Sequence, residues 1–236
     1  IIAYMLGFYI LIFLIIWKIS YYISAPLNRL ATMASHLNNP ETATQIKNVD
    51  ALYYEVRNFK RSLLQSSSNF KKKISTLNHY VNTDPLTGFY NRRGMELHIE
   101  RLMKNNAPFA IIAVDIDYFK KINDQYGHEK GDLVLTKTAQ NIKDCVRSID
   151  VCCRIGGEEF VILSPIDSQN LTINIAERIR QALEVTPIGE IPAITVSIGI
   201  AHWPEISTDI HKVFKAADEY LYLAKKDGRN CIRYKK

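Results

Sequence analysis

Four acidic residues lie in two short stretches of the kind found at the ends of strands. Asp115 and Asp117 close the apolar run 109–116, and Glu158 and Glu159 follow a Gly-Gly pair between two further apolar runs. Carboxylates that converge on one spot repel each other unless cations lie between them, and all-oxygen ligation favours Mg²⁺ or Mn²⁺. If the two stretches are neighbours in a sheet, three or four carboxylates meet and form a divalent-cation site.

Glycine and lysine residues beside these acids indicate that the same place binds phosphate. Gly156 and Gly157 lack the side chains that would block the close approach of a base or a phosphate. Phe119 and Lys120 follow soon after the first acidic pair, where free backbone N–H groups and ammonium groups can hold phosphates. Carboxylates, a divalent cation and basic clamps together point to phosphoryl or nucleotidyl transfer.

Such a site needs a sheet that brings strand ends together. Four apolar runs have the continuity of buried strands: 109–116, 151–155, 160–163 and 194–201. The second and third are joined by the Gly-Gly-Glu-Glu turn of a hairpin. Three stretches between the runs have helical periodicity: 131–146, 171–183 and 210–226. This order predicts an α+β fold, an antiparallel sheet flanked by helices.

The acidic and glycine residues belong to a longer pattern of separated motifs. Its centre is RIGGEEF at 154–160, and its other members are DPLTGFYNRR (84–93), DIDYFKKIND (115–124), YGHEKGD (126–132), TVSIG (195–199), AD (217–218), AK (224–225) and GRN (228–230). The pattern, over 84–236, resembles the GGDEF domain of diguanylate cyclases in its GGEEF form. The resemblance implies a palm-like, nucleotidyl cyclase-like fold that condenses two GTP into cyclic di-GMP and two pyrophosphates.

The resemblance also implies a role for each residue of the cation site. Asp115 and Glu158 would ligate Mg²⁺ or Mn²⁺, helped by the Ile116 carbonyl and by Glu159. Lys120 would stabilise the charge that develops on the phosphates. Glu158 is the implied group that deprotonates the ribose 3′-hydroxyl, either as a true base or through the metal, and its division of roles with Glu159 stays open.

The implied substrate site recognises guanine and grips phosphates. Asn123 and Asp132 would bind the guanine edge, because a carboxylate accepts from N1–H and the exocyclic amine, a donor pair that adenine lacks. On their own, these two residues would instead indicate helix caps. The remaining implied contacts are Phe119, His128, Gly156, Gly157, Lys225 and Arg229. The last two, assigned to the outer phosphates, would alone indicate a solvated basic face near a helix end.

Two further expectations concern a second copy of the chain and a second ligand site. Each domain would hold one GTP, so two copies must face each other as a homodimer with twofold symmetry. Arg147 and Asp150 match the family's product-inhibition site, which binds cyclic di-GMP, and Arg178 would contribute a second arginine. A guanidinium fork pairs with phosphate or with the guanine Hoogsteen edge. The alternative is a surface ion pair.

The first 17 residues form an uncharged apolar run at the lower limit of what spans a bilayer, roughly 17–25 residues. We predict a transmembrane helix over 1–23, with a signal peptide or a buried core helix as alternatives. The basic residues that follow place the catalytic domain in the cytoplasm at the inner membrane. Since no Met opens the chain, we expect it to begin partway through a longer protein with an upstream sensor.

Between the membrane and the catalytic domain, apolar residues recur at helical spacing on both sides of a Pro- and Asn-containing connector. Pro26 is expected to break the first helix. The pattern over 24–72 resembles a HAMP domain, followed by a coiled-coil linker over 73–83, and it implies a parallel dimer that relays the sensor's signal. The stretch 50–53 departs from the HAMP signature, so an ordinary juxtamembrane coiled coil is the alternative.

Charge and cysteine content bear on the class of ligand and on the state of the thiols. The net charge of +6 suits an anionic ligand and an anionic membrane, but nothing in it indicates nucleic acid. Cys145, Cys152, Cys153 and Cys231 lack metal-ligand spacing and are expected to be buried, reduced thiols. The rival functions are a catalytically inactive module that binds GTP or cyclic di-GMP, and a cyclase with an adenine-containing product. All signature glycines and acids are present, which weighs against the inactive module.

Overall fold

The computed structural model of the protein describes residues 2–34, 42–48, 54–165 and 168–235. The chain divides into two compact units, Ile1–Leu77 and Asn78–Lys236. The helices that begin in the first unit are α1 (Ile2–Ala34), α2 (Thr42–Lys47) and α3 (Tyr54–Asn82). The second unit contains helices α4 (Arg92–Lys104), α5 (Phe119–Tyr126), α6 (His128–Cys145), α7 (Gln169–Val185) and α8 (Ile210–Lys226). Its strands are β1 (Phe109–Ile116), β2 (Val151–Arg154), β3 (Glu159–Ser164), β4 (Val196–Trp203) and β5 (Ile232–Tyr234).

Helix α1 is long and apolar enough to cross a membrane by length and composition, with a mean hydropathy of 1.9 over its most apolar window and none of that window buried. The expected break at Pro26 is wrong, because the helix continues through this residue to Ala34. Proline removes one backbone hydrogen bond, and here the turns on both sides remain helical.

The helices of the first unit meet in a small apolar cluster. Leu30, Ile46 and Val56, one from each helix, are buried together. Several apolar residues farther along α3 are exposed: Phe59, Phe70, Ile74, Leu77 and Val81. The connector residues 35–41 and the stretch 49–53, including the degraded HAMP signature, lie outside the described residues.

The five strands form one sheet in the order β2-β3-β1-β4-β5. The predicted antiparallel pairing is confirmed for the first four strands, and the hairpin over β2 and β3 is present. The short strand β5, which the sequence did not predict, pairs parallel to β4, so the sheet is mixed. The connection from β4 to β5 passes through α8, and such a crossover is what parallel pairing requires.

Both faces of the sheet are covered. Alternate residues of β1 pack to opposite sides: Ile112 and Val114 against the layer of α5, α6 and α7, and Ile111 and Ala113 against α4 and α8. A strand buried on both faces has to be apolar at every position, which is why β1 lacks the alternation of a half-exposed strand. Asp115 continues the series that faces α4 and α8.

The four cysteines are free thiols, as expected; Cys145, Cys152 and Cys153 are buried, and Cys231 is half-buried. Burial raises the pKa of Cys152 to about 12, so its thiolate is scarcely populated near neutral pH. These side chains act as small apolar groups.

The last turn of α3, which belongs to the second unit, is bonded to the start of α4. The Asn91 side chain caps α4 by accepting from the Gly94 N–H (3.0 Å), and its amide donates to the Val81 carbonyl (2.8 Å). Gly94 has no room for a larger residue, since a Cβ there would lie 2.3 Å from the carbonyl oxygen of Asn82. The last turn of α3 and the first turn of α4 therefore form one joint.

Helix α8 lies in direct contact with β4 at Gly199. A Cβ at this position would lie 2.2 Å from the Ala217 carbonyl oxygen and 2.4 Å from the Leu221 nitrogen, both in the α8 backbone. The glycine of the TVSIG motif thus sets the distance between this helix and the sheet.

Replacing Gly199 by alanine is expected to lower the free energy of unfolding by about 1–3 kcal/mol, because overpacking forces the helix backbone away from the strand. Equilibrium urea unfolding of the full chain measures the change. Gly157→Ala is the matched control, since no heavy atom lies within 4 Å of a Cβ built there. Equal stability of Gly199→Ala and the wild type would contradict the packing argument.

Candidate active site

The sheet brings the two acidic stretches together, as the sequence predicted. Asp115, near the end of β1, is the register partner of Glu159, the first residue of β3. One residue farther along, the Ile116 N–H donates to the Glu158 carbonyl at 3.4 Å. The Gly-Gly hairpin therefore lies against the acidic end of the central strand.

Asp115 is buried, and its pKa is raised above the ordinary value. Burial raises the pKa of its carboxyl, and the charges of Glu158 and Glu159 raise it further. The Lys225 ammonium opposes this shift, because its Nζ lies 2.7 Å from Asp115 Oδ2. The mutual repulsion of the acids is thus relieved by a cation from α8.

The donor chemistry fits Mg²⁺ or Mn²⁺. The groups gathered here, the carboxylates of Asp115, Glu158 and Glu159 and the Ile116 carbonyl, are all oxygens, which hard divalent cations prefer. Across the described residues, no three His, Cys, Asp or Glu side chains are arranged closely enough to hold a metal ion as they stand.

Asp117, which the sequence left open as a fourth carboxylate of this cluster, is bonded to protein donors. Its Oδ1 accepts from Ser197 Oγ (2.7 Å), and its Oδ2 accepts from Thr195 Oγ1 (2.8 Å) and from the Asn230 N–H (3.1 Å). These donors come from β4, from the residue that precedes it and from the turn after α8. The carboxylate is occupied in holding chain segments together.

The implied guanine contacts lie on α5 and α6. Asn123 and Asp132 are inside these helices, whose N-caps are Tyr118 and Gly127, so the capping alternative is wrong. Asn123 Oδ1 is buried and has no hydrogen-bond partner. A Cβ at Gly131 would lie 1.9 Å from that oxygen, which explains the glycine of the YGHEKGD motif.

The other residues of α5 and α6 assigned to the substrate differ in exposure. His128 and Asp132 are exposed on the first turns of α6, and Lys120 is exposed on the first turn of α5. Phe119 is buried in the core, so its backbone, at the N-terminus of α5, is the part available to a ligand.

Arg229 lies in a turn beyond α8 and does not share a solvated helix face with Lys225. Its guanidinium carbon is 4.5 Å from the centre of the Tyr118 ring, and its Nη1 donates to the Tyr118 hydroxyl at 3.3 Å. The Lys121 ammonium lies 4.6 Å from the same ring. The sequence motifs contain Tyr118 but gave no sign that it contacts Arg229, because the two residues are far apart in the chain.

The hairpin is held by a partly buried ion pair that the sequence did not predict. Arg154 donates to the Gly157 carbonyl (2.8 Å) and to both oxygens of Asp84 (3.0 and 3.1 Å). Burial alone would raise the pKa of Asp84, but hydrogen bonds from Thr87 and Arg154 lower it. A Cβ at Gly156 would lie 2.6 Å from Glu159 Oε2, whereas a Cβ at Gly157 would meet nothing within 4 Å.

Glu159 and Lys225 also line a cleft of about 670 Å³ between α4 and α8. Its floor is apolar, and Arg92 and Asp218 lie among its polar lining. The implied guanine contacts on α5 and α6 are not part of it. The cleft is therefore separate from the implied guanine contacts, and it shares Glu159 and Lys225 with the site.

The implied inhibition residues lie together at the other end of the hairpin. Arg147 Nη2 donates to Asp150 Oδ1 (2.9 Å) and to Ser164 Oγ (3.0 Å), and Ser164 Oγ donates to Asp150 Oδ1 (2.8 Å). The two residues form the ion pair that the alternative expects, with the Asp150 side chain 0% exposed and the Arg147 side chain 39% exposed. Arg178 Nε donates to the Cys145 carbonyl at 2.8 Å, which places it beside this turn.

Burial and hydrogen bonding shift the pKa of Asp150 in opposite directions. Burial alone would raise its pKa, but hydrogen bonds from the Arg147 side chain and backbone and from Ser164 lower it. The guanidinium of Arg147 remains partly exposed, with a side-chain exposure of 39%. The cluster therefore presents a cation toward solvent and keeps its anion inside.

Comparisons with known proteins identify the family of the second unit. Residues 81–231 match the family model described as diguanylate cyclase, GGDEF domain. Diguanylate cyclase DgcM of Escherichia coli is 41% identical over 167 residues, covering 69% of this chain and 40% of that protein. The response regulator PleD of Caulobacter vibrioides is 40% identical over 159 residues, covering 64% and 35%. The chain spans less than half the length of these curated relatives.

Two solved structures are also similar. The coiled coil and GGDEF domain of DgcB from Caulobacter crescentus, in complex with c-di-GMP, has a TM-score of 0.67 and 26% identity, covering 77% of this chain and 98% of that one. The active GGEEF domain of a diguanylate cyclase from Vibrio cholerae has a TM-score of 0.58 and 33% identity, covering 62% and 97%.

Lys225→Met is expected to raise the pKa of Asp115 further, because the ammonium that favours its charged form is removed. Carboxyl ¹³C NMR titration without added divalent cations measures the shift. Because a raised pKa in the folded state makes stability fall as pH rises through it, the variant should lose stability over a wider pH range above about 4.

Lys226→Met is the matched control for this prediction. The Lys226 ammonium lies over the Tyr222 ring at 4.9 Å, so its removal should leave the Asp115 titration unchanged. An unchanged pKa of Asp115 in Lys225→Met would show that the ion pair does not set the charge of this carboxyl.

Proposed function

Because this chain belongs to the GGDEF domain family of diguanylate cyclases, we propose that it condenses two GTP into cyclic di-GMP and two pyrophosphates. The observation that carries the proposal is the register of β1 and β3, which sets Asp115 against the Glu158–Glu159 hairpin. In this arrangement one domain holds one GTP beside the acidic strand end. The 3′-hydroxyl of each GTP then attacks the α-phosphate of the other.

Four groups would hold the catalytic Mg²⁺ or Mn²⁺: the carboxylates of Asp115, Glu158 and Glu159 and the Ile116 carbonyl. A divalent cation supplies Lewis-acid polarisation of the phosphate and makes the ribose hydroxyl more acidic. Glu158 takes the proton from that hydroxyl. Lys225 already lies at the Asp115 carboxylate and is within reach of a triphosphate bound there.

Recognition of guanine would come from Asn123 and Asp132. Asn123 Oδ1 is a buried acceptor without a hydrogen-bond partner, so it is available to a donor of the base. The exposed carboxylate of Asp132 provides further acceptors. Guanine N1–H and its exocyclic amine supply matching donors, whereas adenine would leave acceptors unpaired. His128 borders this position on α6.

The phosphates would be held by cations around the N-terminus of α5. Lys120 is exposed there, and the Phe119 backbone opens the helix. Arg229 lies beside the same turn through its contact with Tyr118. These groups neutralise the charge that grows on the phosphates in the transition state.

The reaction requires a homodimer, and α3 supports one. Its exposed apolar residues, which include Phe70, Ile74 and Leu77, suit a parallel coiled coil with a second copy. With α1 as an inner-membrane anchor, an upstream sensor would act through the HAMP-like helices by setting whether the half-sites meet. The catalytic unit would then lie in the cytoplasm.

We further propose that cyclic di-GMP inhibits the enzyme at Arg147, Asp150 and Arg178. The partly exposed Arg147 guanidinium can pair with phosphate or with the guanine edge. The solved DgcB relative was determined in complex with c-di-GMP. Feedback at this cluster would be non-competitive, because it lies at the opposite end of the hairpin from the acidic residues.

Glu158→Ala is expected to lower cyclic di-GMP formation by about 10²–10⁴-fold, the usual contribution of a group that transfers a proton. The full chain is incubated with GTP and Mg²⁺ and the products are resolved by chromatography. Glu190→Ala, a change at a carboxylate that is 84% exposed, is the control and should keep wild-type turnover.

Two results would favour the rival functions. GTP or cyclic di-GMP binding by the wild type without turnover would indicate an inactive binding module. A mixed dinucleotide formed from GTP and ATP would indicate a cyclase of different specificity.

Arg147→Ala is expected to raise the concentration of cyclic di-GMP needed for half-inhibition by about tenfold or more, as the loss of charged hydrogen bonds of about 1.5–3 kcal/mol requires. Initial rates at several product concentrations measure this effect, and thermal unfolding shows whether the variant is folded. Arg178→Ala should weaken inhibition in the same direction. Inhibition of equal strength in the wild type and in both variants would refute the feedback site.

A further inference from the structure

The buried carboxylate of Asp117 accepts hydrogen bonds from three separate protein donors. It is only 4% exposed, and its two oxygens are shared between Ser197 Oγ on one side and Thr195 Oγ1 with the Asn230 N–H on the other. Ser197 lies in β4, and Thr195 immediately precedes that strand. The third, Asn230, belongs to the turn that carries Arg229.

That turn has an unusual backbone. Gly228, Arg229 and Asn230 have φ values of 107°, 67° and 48°, so three consecutive residues lie in the left-handed region. Residues other than glycine enter this region only at a cost, and they stay there when surrounding contacts hold them. Contacts with residues outside the turn are therefore needed to stabilise this backbone conformation.

The contacts on both sides of the turn supply that stabilisation. The Arg229 N–H donates to the Ala224 carbonyl at 3.0 Å, which ends α8, and the Asn230 N–H donates to Asp117 Oδ2 at 3.1 Å. The Asn230 side chain accepts from Arg180 (2.8 Å) and donates to Glu184 (2.7 Å) on α7. With its backbone held, Arg229 lies against Tyr118, the neighbour of Asp117.

We propose that Asp117 is a positioning residue that fixes the Gly228–Asn230 turn and thereby presents Arg229 to the triphosphate. The inference rests on the proposed function, since it assigns Arg229 to the phosphates of GTP. Asp117 acts through the turn, since the donors around its carboxylate are protein groups.

The test is a double-mutant cycle on the full chain with GTP as substrate. Asp117→Asn replaces one carboxylate oxygen by an amide donor, so at least one of the three donors loses its acceptor. We expect it to raise the KM for GTP by about 3–10-fold, and Arg229→Ala, which loses the phosphate contact itself, by about 10–100-fold. The double variant should match Arg229→Ala, because residues that act through one contact are not additive.

Ser197→Ala is the matched control. It removes a hydrogen bond from the other oxygen of Asp117 and leaves the Asn230 contact in place. Its melting temperature should fall while its KM for GTP stays at the wild-type value. A purely structural role for Asp117 would lower the fraction of active enzyme in both variants and leave KM unchanged in both.

Asn230→Ala decides the question if Asp117→Asn does not fold. Alanine tolerates the left-handed region less well than asparagine and loses the contacts to α7, while Asp117 remains intact. It should also raise the KM for GTP, and again without adding to Arg229→Ala.

The outcomes separate this inference from the proposed function. An unchanged KM in Asp117→Asn and Asn230→Ala, or a double variant whose effects add, overturns the positioning role alone. An unchanged KM in Arg229→Ala shows that this arginine does not hold the phosphates, and that result overturns the assignment of Arg229 and the inference with it.

Discussion

The structure of the second unit depends on compensating a negative charge at the end of a strand that is buried on both faces. Asp115 cannot reach bulk water from that position, so its charge must be met by the protein or by a ligand. Lys225 meets it from α8, and α8 can lie close enough only because Gly199 has no side chain. One glycine on β4 therefore determines how a charge on β1 is balanced.

The residues around this strand end form two groups with different tasks. Asp115, Glu158 and Glu159 retain carboxylate oxygens that a cation can use, whereas Asp117 and Asp84 have theirs taken by protein donors. Some of these acids therefore have oxygens available to a cation, whereas the others hold chain segments together. The division follows from which partners the fold supplies, since all five side chains are of similar acidity in water.

The sequence predicted the parts of this arrangement that depend on local pattern. The continuous apolar run of β1 and the Gly-Gly turn between β2 and β3 indicated the strands and the hairpin, and their adjacency was confirmed. The sequence did not predict strand β5, because three half-buried residues are too few to show a continuous or alternating apolar pattern. The roles of Asp117, Tyr118 and Arg154 were missed because their partners lie about 70 to 113 residues away, beyond the reach of any local rule.

The joint at the end of α3 also pairs the last carbonyl groups of that helix. The helix continues without interruption to Asn82, and its last carbonyls are bonded to Asn91 at the start of α4. The carbonyls of Val81 and Asn82, which a helix end leaves unpaired within the helix, therefore accept from the N-cap residue of the next helix. A single side chain and backbone, those of Asn91, thus terminate one helix and start another.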